Sequence, residues 1–143
     1  RMDRLEDAVA AYDDAVKRWP DSAMALNAYG YTLADRTDRF REAEKLIRRA
    51  LKLEPDSSAI IDSLGWVLFK LGRLEEALAE LERAYDGMSS DEGADEVAAH
   101  IVETLVALDR KDAALERLVV AEEQWPESEF LEDVRERLFS ESP

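Results

Sequence analysis

The feature that most constrains this chain is an internal period. A small residue, an apolar residue four positions on, an alanine three further and a proline five beyond that recur as Ala8, Tyr12, Ala15, Pro20 and again as Ala43, Ile47, Ala50, Pro55. A third copy reads Ala77, Leu81, Ala84, with Ser89 in the proline position, and a fourth reads Ala114, Leu118, Ala121, Pro126. The leading alanines are 35, 34 and 37 residues apart, so one copy carries an extra residue near 35–38 and another carries three near 92–94. A unit of this length cannot bury its own apolar face and must stack on its neighbours.

A second pattern alternates with the first. Leu26-x-x-Tyr29-Gly30-x-x-Leu33 matches Ile61-x-x-Leu64-Gly65-x-x-Leu68, and Ala98, Ile101, Val102 and Leu105 form a looser third version. This spacing puts one apolar stripe on a helix. Gly30 and Gly65 therefore stand inside helices, where glycine costs about 1 kcal/mol against alanine. The expected compensation is a close approach of the paired helix, with Ala8, Ala43, Ala77 and Ala114 as the facing small surface. Pro20, Pro55 and Pro126 end the helices before them, and Asp21-Ser22 and Asp56-Ser57 suit the N-caps of the helices after them. Turns are expected at 35–38, 71–73 and 109–111.

These residues resemble the tetratricopeptide repeat family, whose pattern runs W-x₂-L-G-x₂-Y, then A-x₃-F, then Ala and Pro. The resemblance spans nearly all of the 143 residues, although the first Trp, the third Pro and the last Gly of the pattern are missing. It implies an all-α, helical-hairpin solenoid wound as a right-handed superhelix, with first helices lining the concave side. The chain reads as one array: an orphan second helix at 4–18, repeats at 23–54, 58–85 and 95–123, a polar loop at 86–94 and a capping helix at 129–139. Residues 4–18 carry two adjacent stripes, Val9, Tyr12, Val16 and Ala8, Ala11, Ala15. A helix this apolar is expected to dock on residues 23–35 and to leave a face for an upstream repeat or a second copy. The chain is accordingly expected to be a fragment of a longer array or to pair through Val9, Tyr12 and Val16.

Composition narrows the function classes. The net charge of −15 repels a phosphate backbone and an anionic membrane surface, so neither nucleic acid nor membrane is an expected partner. Arg outnumbers Lys fourteen to five, a balance that fits either a salt-adapted host or a GC-rich genome. The absence of cysteine excludes disulfides, zinc thiolates and a thiol nucleophile. No apolar run approaches the ~18 residues of a membrane span. His100 is the single histidine, so a helix-surface residue is expected there in preference to a metal ligand. No cofactor or metal is expected. Acidic pairs such as Asp13-Asp14 and Glu75-Glu76 are chance neighbours among 34 carboxylates, and no phosphate loop or hydrolase motif is present, so no catalysis is expected.

By the resemblance, the concave face holds Asn27, Tyr31 and Ala34; Asp62, Trp66, Phe69 and Lys70; and Ala99, Glu103 and Val106. Spacing supports this, because Asp62, Trp66 and Phe69 lie opposite Ile61, Leu64 and Leu68. Two readings stay open for Trp66 and Phe69: lining a groove, or packing between first helices. A terminal-carboxylate clamp is not expected, since only Asn27 has a suitable type. The groove reads as apolar with acidic edges, suited to a protein or peptide with apolar anchors and basic residues. Trp19-Pro20 and Trp125-Pro126 read as hydrophobic lids on inter-repeat turns. The leading expectation is a scaffold or adaptor that binds a protein segment; the alternative is structural self-association. The runs from Leu26 to Asp35 and from Ile61 to Leu68 also resemble the C-terminal repeats of large proteobacterial tetratricopeptide proteins. Several of those are outer-membrane lipoproteins, and some deliver substrates to a periplasmic protease. That likeness implies a bacterial source and leaves periplasm and cytoplasm both open.

Overall fold

The computed structural model describes residues 3–88 and 92–140. The described chain forms α1 (Asp3–Arg18), α2 (Ala23–Arg36), α3 (Phe40–Leu53), α4 (Ser58–Lys70), α5 (Leu74–Met88), α6 (Ala94–Ala107), α7 (Lys111–Gln124) and α8 (Glu129–Phe139), with no strand among the described residues. Three antiparallel hairpins, α2–α3, α4–α5 and α6–α7, stack in sequence. α1 packs on α2 at one end, and α8 packs on α6 at the other. This is the all-α solenoid that the period implies.

Local chemistry explains each boundary. The side chains of Ser22, Ser57 and Ser128 cap α2, α4 and α8, accepting from the backbone N–H of Ala25 (3.1 Å), Ile60 (3.3 Å) and Leu131 (3.3 Å). Pro55 and Pro126 come directly after residues driven out of the helical region, Glu54 (φ −138°, ψ 76°) and Trp125 (φ −127°, ψ 71°). Ser89, which replaces the third proline, lies outside the described residues. α5 runs three residues past the expected end at Tyr85, and α6 starts at Ala94, so the connection is shorter than a loop spanning 86–94. Met88 stands where Glu54 and Trp125 do in the other copies, but no proline follows it in the sequence, so nothing drives it out of the helical region.

The repeated alanines are the contact surface between helices. Ala43, Ala50, Ala77, Ala84 and Ala114 are fully buried. A Cβ on Gly30 would lie 2.6 Å from Ile47 Cγ1 and 3.1 Å from the Ala43 carbonyl oxygen. A Cβ on Gly65 would lie 2.6 Å from Leu81 Cγ, so Leu81 rather than Ala77 is its opposing residue. The apolar interior forms two clusters, one from α1 to the start of α5 and one from α4 to α8.

The stripe Val9, Tyr12, Val16 does not offer an open face. Val16 is buried in the first cluster, Tyr12 stacks on Tyr29 with ring centroids 6.5 Å apart, and Val9 is half-buried in a cleft beside Tyr29 and Arg39. The larger residues turn inward because they bury more area than the neighbouring alanines. The solvent-facing side of α1 consists of Arg4, Glu6, Asp7, Ala10, Ala11, Asp14, Lys17 and Arg18, a largely charged surface. Trp125 does act as a lid, partly buried against the second cluster and edge-on to Tyr85 of α5. Trp19 does not: it is 57% exposed beside the Arg18 guanidinium. Among the described residues no earlier second helix precedes α1 for it to close on.

Candidate protein-binding groove

The first helices α2, α4, α6 and α8 present matching rows to one side of the array. Nine residues beyond each serine cap stand Tyr31, Trp66 and Arg137, and Glu103 takes the same place on α6. Five beyond each cap stand Asn27, Asp62 and Asp133, with Ala99 on α6. All of these but Asn27 and Asp62 line a cavity of about 490 Å³, together with Asp35, Glu96 and His100, and Phe130, Asp133 and Arg137 of α8 close it. A smaller cavity of about 240 Å³ adjoins it, sharing Tyr31 and Glu96 and reaching Asn27 and Asp62.

The floor is a polar network built around one imidazole. α4 carries almost no charge, and every residue from Ile60 to Leu68 is buried. Trp66 therefore sits inside, 6% exposed, with its indole stacked 4.0 Å from the His100 ring and 4.7 Å from Phe69. Its N–H donates to Asp35 Oδ1 at 3.2 Å. His100 is buried as well, which corrects the expectation of a helix-surface histidine. Its Nδ1 lies 3.0 Å from Asp62 Oδ1 and its Nε2 3.9 Å from Glu96 Oε2. A carboxylate can only accept, so Nδ1 carries the proton. Burial pulls the His100 pKa down, but Asp62, then Glu96 and Glu103, outweigh it and hold it above 6.5. The Tyr31 hydroxyl donates to Glu96 at 2.9 Å, and burial together with Glu96 and Asp35 keeps it protonated far above the ordinary range.

The sequence-derived residues divide accordingly. Tyr31, Trp66, Ala99 and Glu103 line the larger cavity; Asn27 and Asp62 line the smaller. Phe69 and Lys70 line neither. Phe69 packs against the first apolar cluster, and the Lys70 ammonium lies 5.1 Å over the Trp66 ring. Ala34 is fully buried and Val106 packs on the second cluster. Sequence reasoning misses the wall supplied by α8, because the charges of a capping helix suit a solvated outer face equally well. Phe130 is 47% exposed at the rim, and Arg137 bridges Glu103 (2.9 Å) and Asp133 (2.8 Å). The cap residue Ser128 is the available signal, since counting five and nine residues from it reaches Asp133 and Arg137.

Five carboxylates, from Asp35, Glu96, Glu103, Glu129 and Asp133, face one guanidinium across this groove. Among the described residues no group of three or more acidic or histidine side chains is arranged to hold a metal ion. The buried Oδ1 of Asn27 has no hydrogen-bond partner among the described residues. The surface offers carboxylates and aromatic faces, which are means of holding another molecule.

Comparison with known proteins agrees with this architecture. The tetratricopeptide repeat family model matches residues 1–38 and 32–94. A TPR repeat-containing protein of Pseudomonas aeruginosa is 50% identical over 88 residues, which is 62% of this chain and 14% of that protein's length. A thermophilic TPR protein from Thermus thermophilus superposes with a TM-score of 0.77 at 23% identity, covering 95% of this chain and 72% of the other. MamA from Desulfovibrio magneticus RS-1 gives 0.73 at 18% identity, covering 90% and 70%. Both structures show the same fold. The chain belongs to the tetratricopeptide repeat family.

Proposed function

We propose that the chain is a non-catalytic interaction module that binds an extended segment of another protein in the groove crossed by α2, α4, α6 and α8. Proteins of this fold generally mediate protein–protein contacts. The observation that carries the finer reading is the imbalance of the groove, with five carboxylates to one guanidinium beside an exposed Phe130. The matching segment carries an apolar side chain for Phe130 and Tyr31, and a lysine or arginine for Asp35, Glu96 and Glu129. Because Trp66, Asp62 and His100 are already engaged with one another, they shape the floor, and the contacts fall to the rim. An adaptor role extends this reading.

Selection from a displayed random-peptide library against the purified chain tests it. The selected sequences are expected to combine apolar and basic residues and to lose at least about tenfold in affinity against a Phe130→Ala, Glu129→Lys variant, the equivalent of 1.4 kcal/mol. Sequences without basic residues, or unaffected by that variant, contradict it.

A further inference from the structure

A second surface lies on the outer, convex side. In α3 and α5 the second helix of one unit is tied to the next unit along the array. Glu44 of α3 accepts from Arg73 at 3.2 Å, and Glu82 of α5 accepts from both terminal guanidinium nitrogens of Arg117 on α7, at 2.6 and 3.1 Å. Counted from the buried alanines Ala43, Ala77 and Ala114, Glu44 stands one residue on, and Glu82 five. Those positions therefore face the next unit of the array. Leu78, one residue beyond Ala77, is packed into the second apolar cluster as a result.

On α7 the same positions hold Leu115 and Val119, with Val120 beside them. Their exposures are 40%, 42% and 62%, and they border a shallow hollow of about 880 Å³ that Asp112, Glu116 and Arg117 complete. Where α5 carries the acid that anchors its neighbour, α7 carries valine, so the face is made for apolar contact. Its margin is acidic. Asp112, Glu116 and Glu123 are exposed and form no ion pair among the described residues, whereas Arg117 is already taken by Glu82. A second copy of this chain is a poor occupant: each copy carries −15, and pairing α7 with itself sets acid against acid.

We propose that the outer face of α7 is a second docking surface, for an amphipathic α-helix of a partner protein whose apolar stripe is flanked by lysine or arginine. The helix lies across the outer face of α7. Its apolar residues cover Leu115, Val119 and Val120, and its basic flanks meet Asp112, Glu116 and Glu123. This is a different surface and a different ligand conformation from those of the concave groove, and neither depends on the other.

The test uses the intact chain and two synthetic helical peptides with the same leucine stripe, one flanked by arginine and one by glutamate. Fluorescence anisotropy measures affinity, and backbone amide shifts locate the site. The arginine-flanked peptide is expected to move the amides of α7 and to bind more tightly than its glutamate twin. A Val119→Ser, Val120→Ser variant keeps every charge and is expected to weaken that peptide at least about tenfold, because two apolar side chains no longer meet the leucine stripe. Phe130→Ala is expected to leave it unchanged. Equal binding to the serine variant would show charge attraction alone and overturn the proposal. So would amide shifts confined to α2, α4, α6 and α8, or a wild-type dimer that the serine substitutions dissociate.

Discussion

Replacing Gly65 with alanine sets two opposed effects against each other, and the structure says which is larger. Alanine is the better helix former by about 1 kcal/mol, and α4 is regular around this site. The added Cβ, however, would stand 2.6 Å from Leu81 Cγ, 2.7 Å from its Cδ2 and 3.2 Å from its backbone nitrogen. Leu81 is fully buried, and the nearest atom is the branch point of its side chain, so rotation of a terminal methyl cannot relieve the clash. α4 and α5 must move apart. Overpacking of this kind costs about 1–3 kcal/mol; with a backbone atom also in the way, the upper half of that range applies, and the net loss is about 1–2 kcal/mol. Urea denaturation monitored by far-UV circular dichroism reads this directly. Positions 65 and 81 are also coupled. Leu81→Ala alone should cost about 2–5 kcal/mol by leaving a cavity, and the new methyl at position 65 fills part of it, so the double variant should fall short of the sum by at least about 0.5 kcal/mol. A stabilised Gly65→Ala protein, or strictly additive losses, would refute the close-approach account.

Single sites give further expected outcomes. Trp66→Ala should cost about 3–5 kcal/mol, no less than Leu68→Ala, because its ring is buried between Phe69 and His100; a loss well below that of Leu68→Ala would return the indole to the groove wall. His100 should titrate above 6.5, and because its folded pKa exceeds the unfolded value, its stabilisation is complete below that pH and lost as pH rises through the folded pKa. Imidazole proton shifts and denaturation across pH check this, and an equal pH dependence in His100→Gln would sink it. Gly72 (φ +81°) meets nothing within 4 Å of a built Cβ, so Gly72→Ala should cost about 1–2 kcal/mol as backbone strain alone; Asp109 takes the equivalent turn position at φ 63°, so Asp109→Gly should stabilise by about 0.5 kcal/mol in the same assay.

The sequence carried the architecture because each hairpin repeats the same local code. The buried alanines, the prolines after second helices, the serine caps and the interior glycines are signals that act within a few residues. The registers at Asn27/Tyr31 and Asp62/Trp66 are legible for the same reason. Orientation is not. α4 is apolar on nearly every side, so periodicity cannot say whether Trp66 faces inward or outward. α1 carries two adjacent apolar stripes, and the choice between them is made across the helix pair, where Tyr12 stacks on Tyr29 and Val16 joins the first apolar cluster. His100 looks like a lone surface residue because its partner Asp62 lies 38 positions away. A charged helix such as α8 looks the same in sequence whether its charges meet only water or also wall a groove.

The central claim is that a basic, apolar-anchored segment lies across α2, α4, α6 and α8. Amide chemical-shift mapping of the isotope-labelled chain, titrated with a library-selected peptide, tests it most directly. Saturable shifts are expected around Asn27, Tyr31, Glu96, Glu103 and Phe130, with α1 and α3 unmoved. Saturable binding whose shifts lie on α1 and α3, with the residues around Tyr31 and Phe130 unmoved, would contradict it.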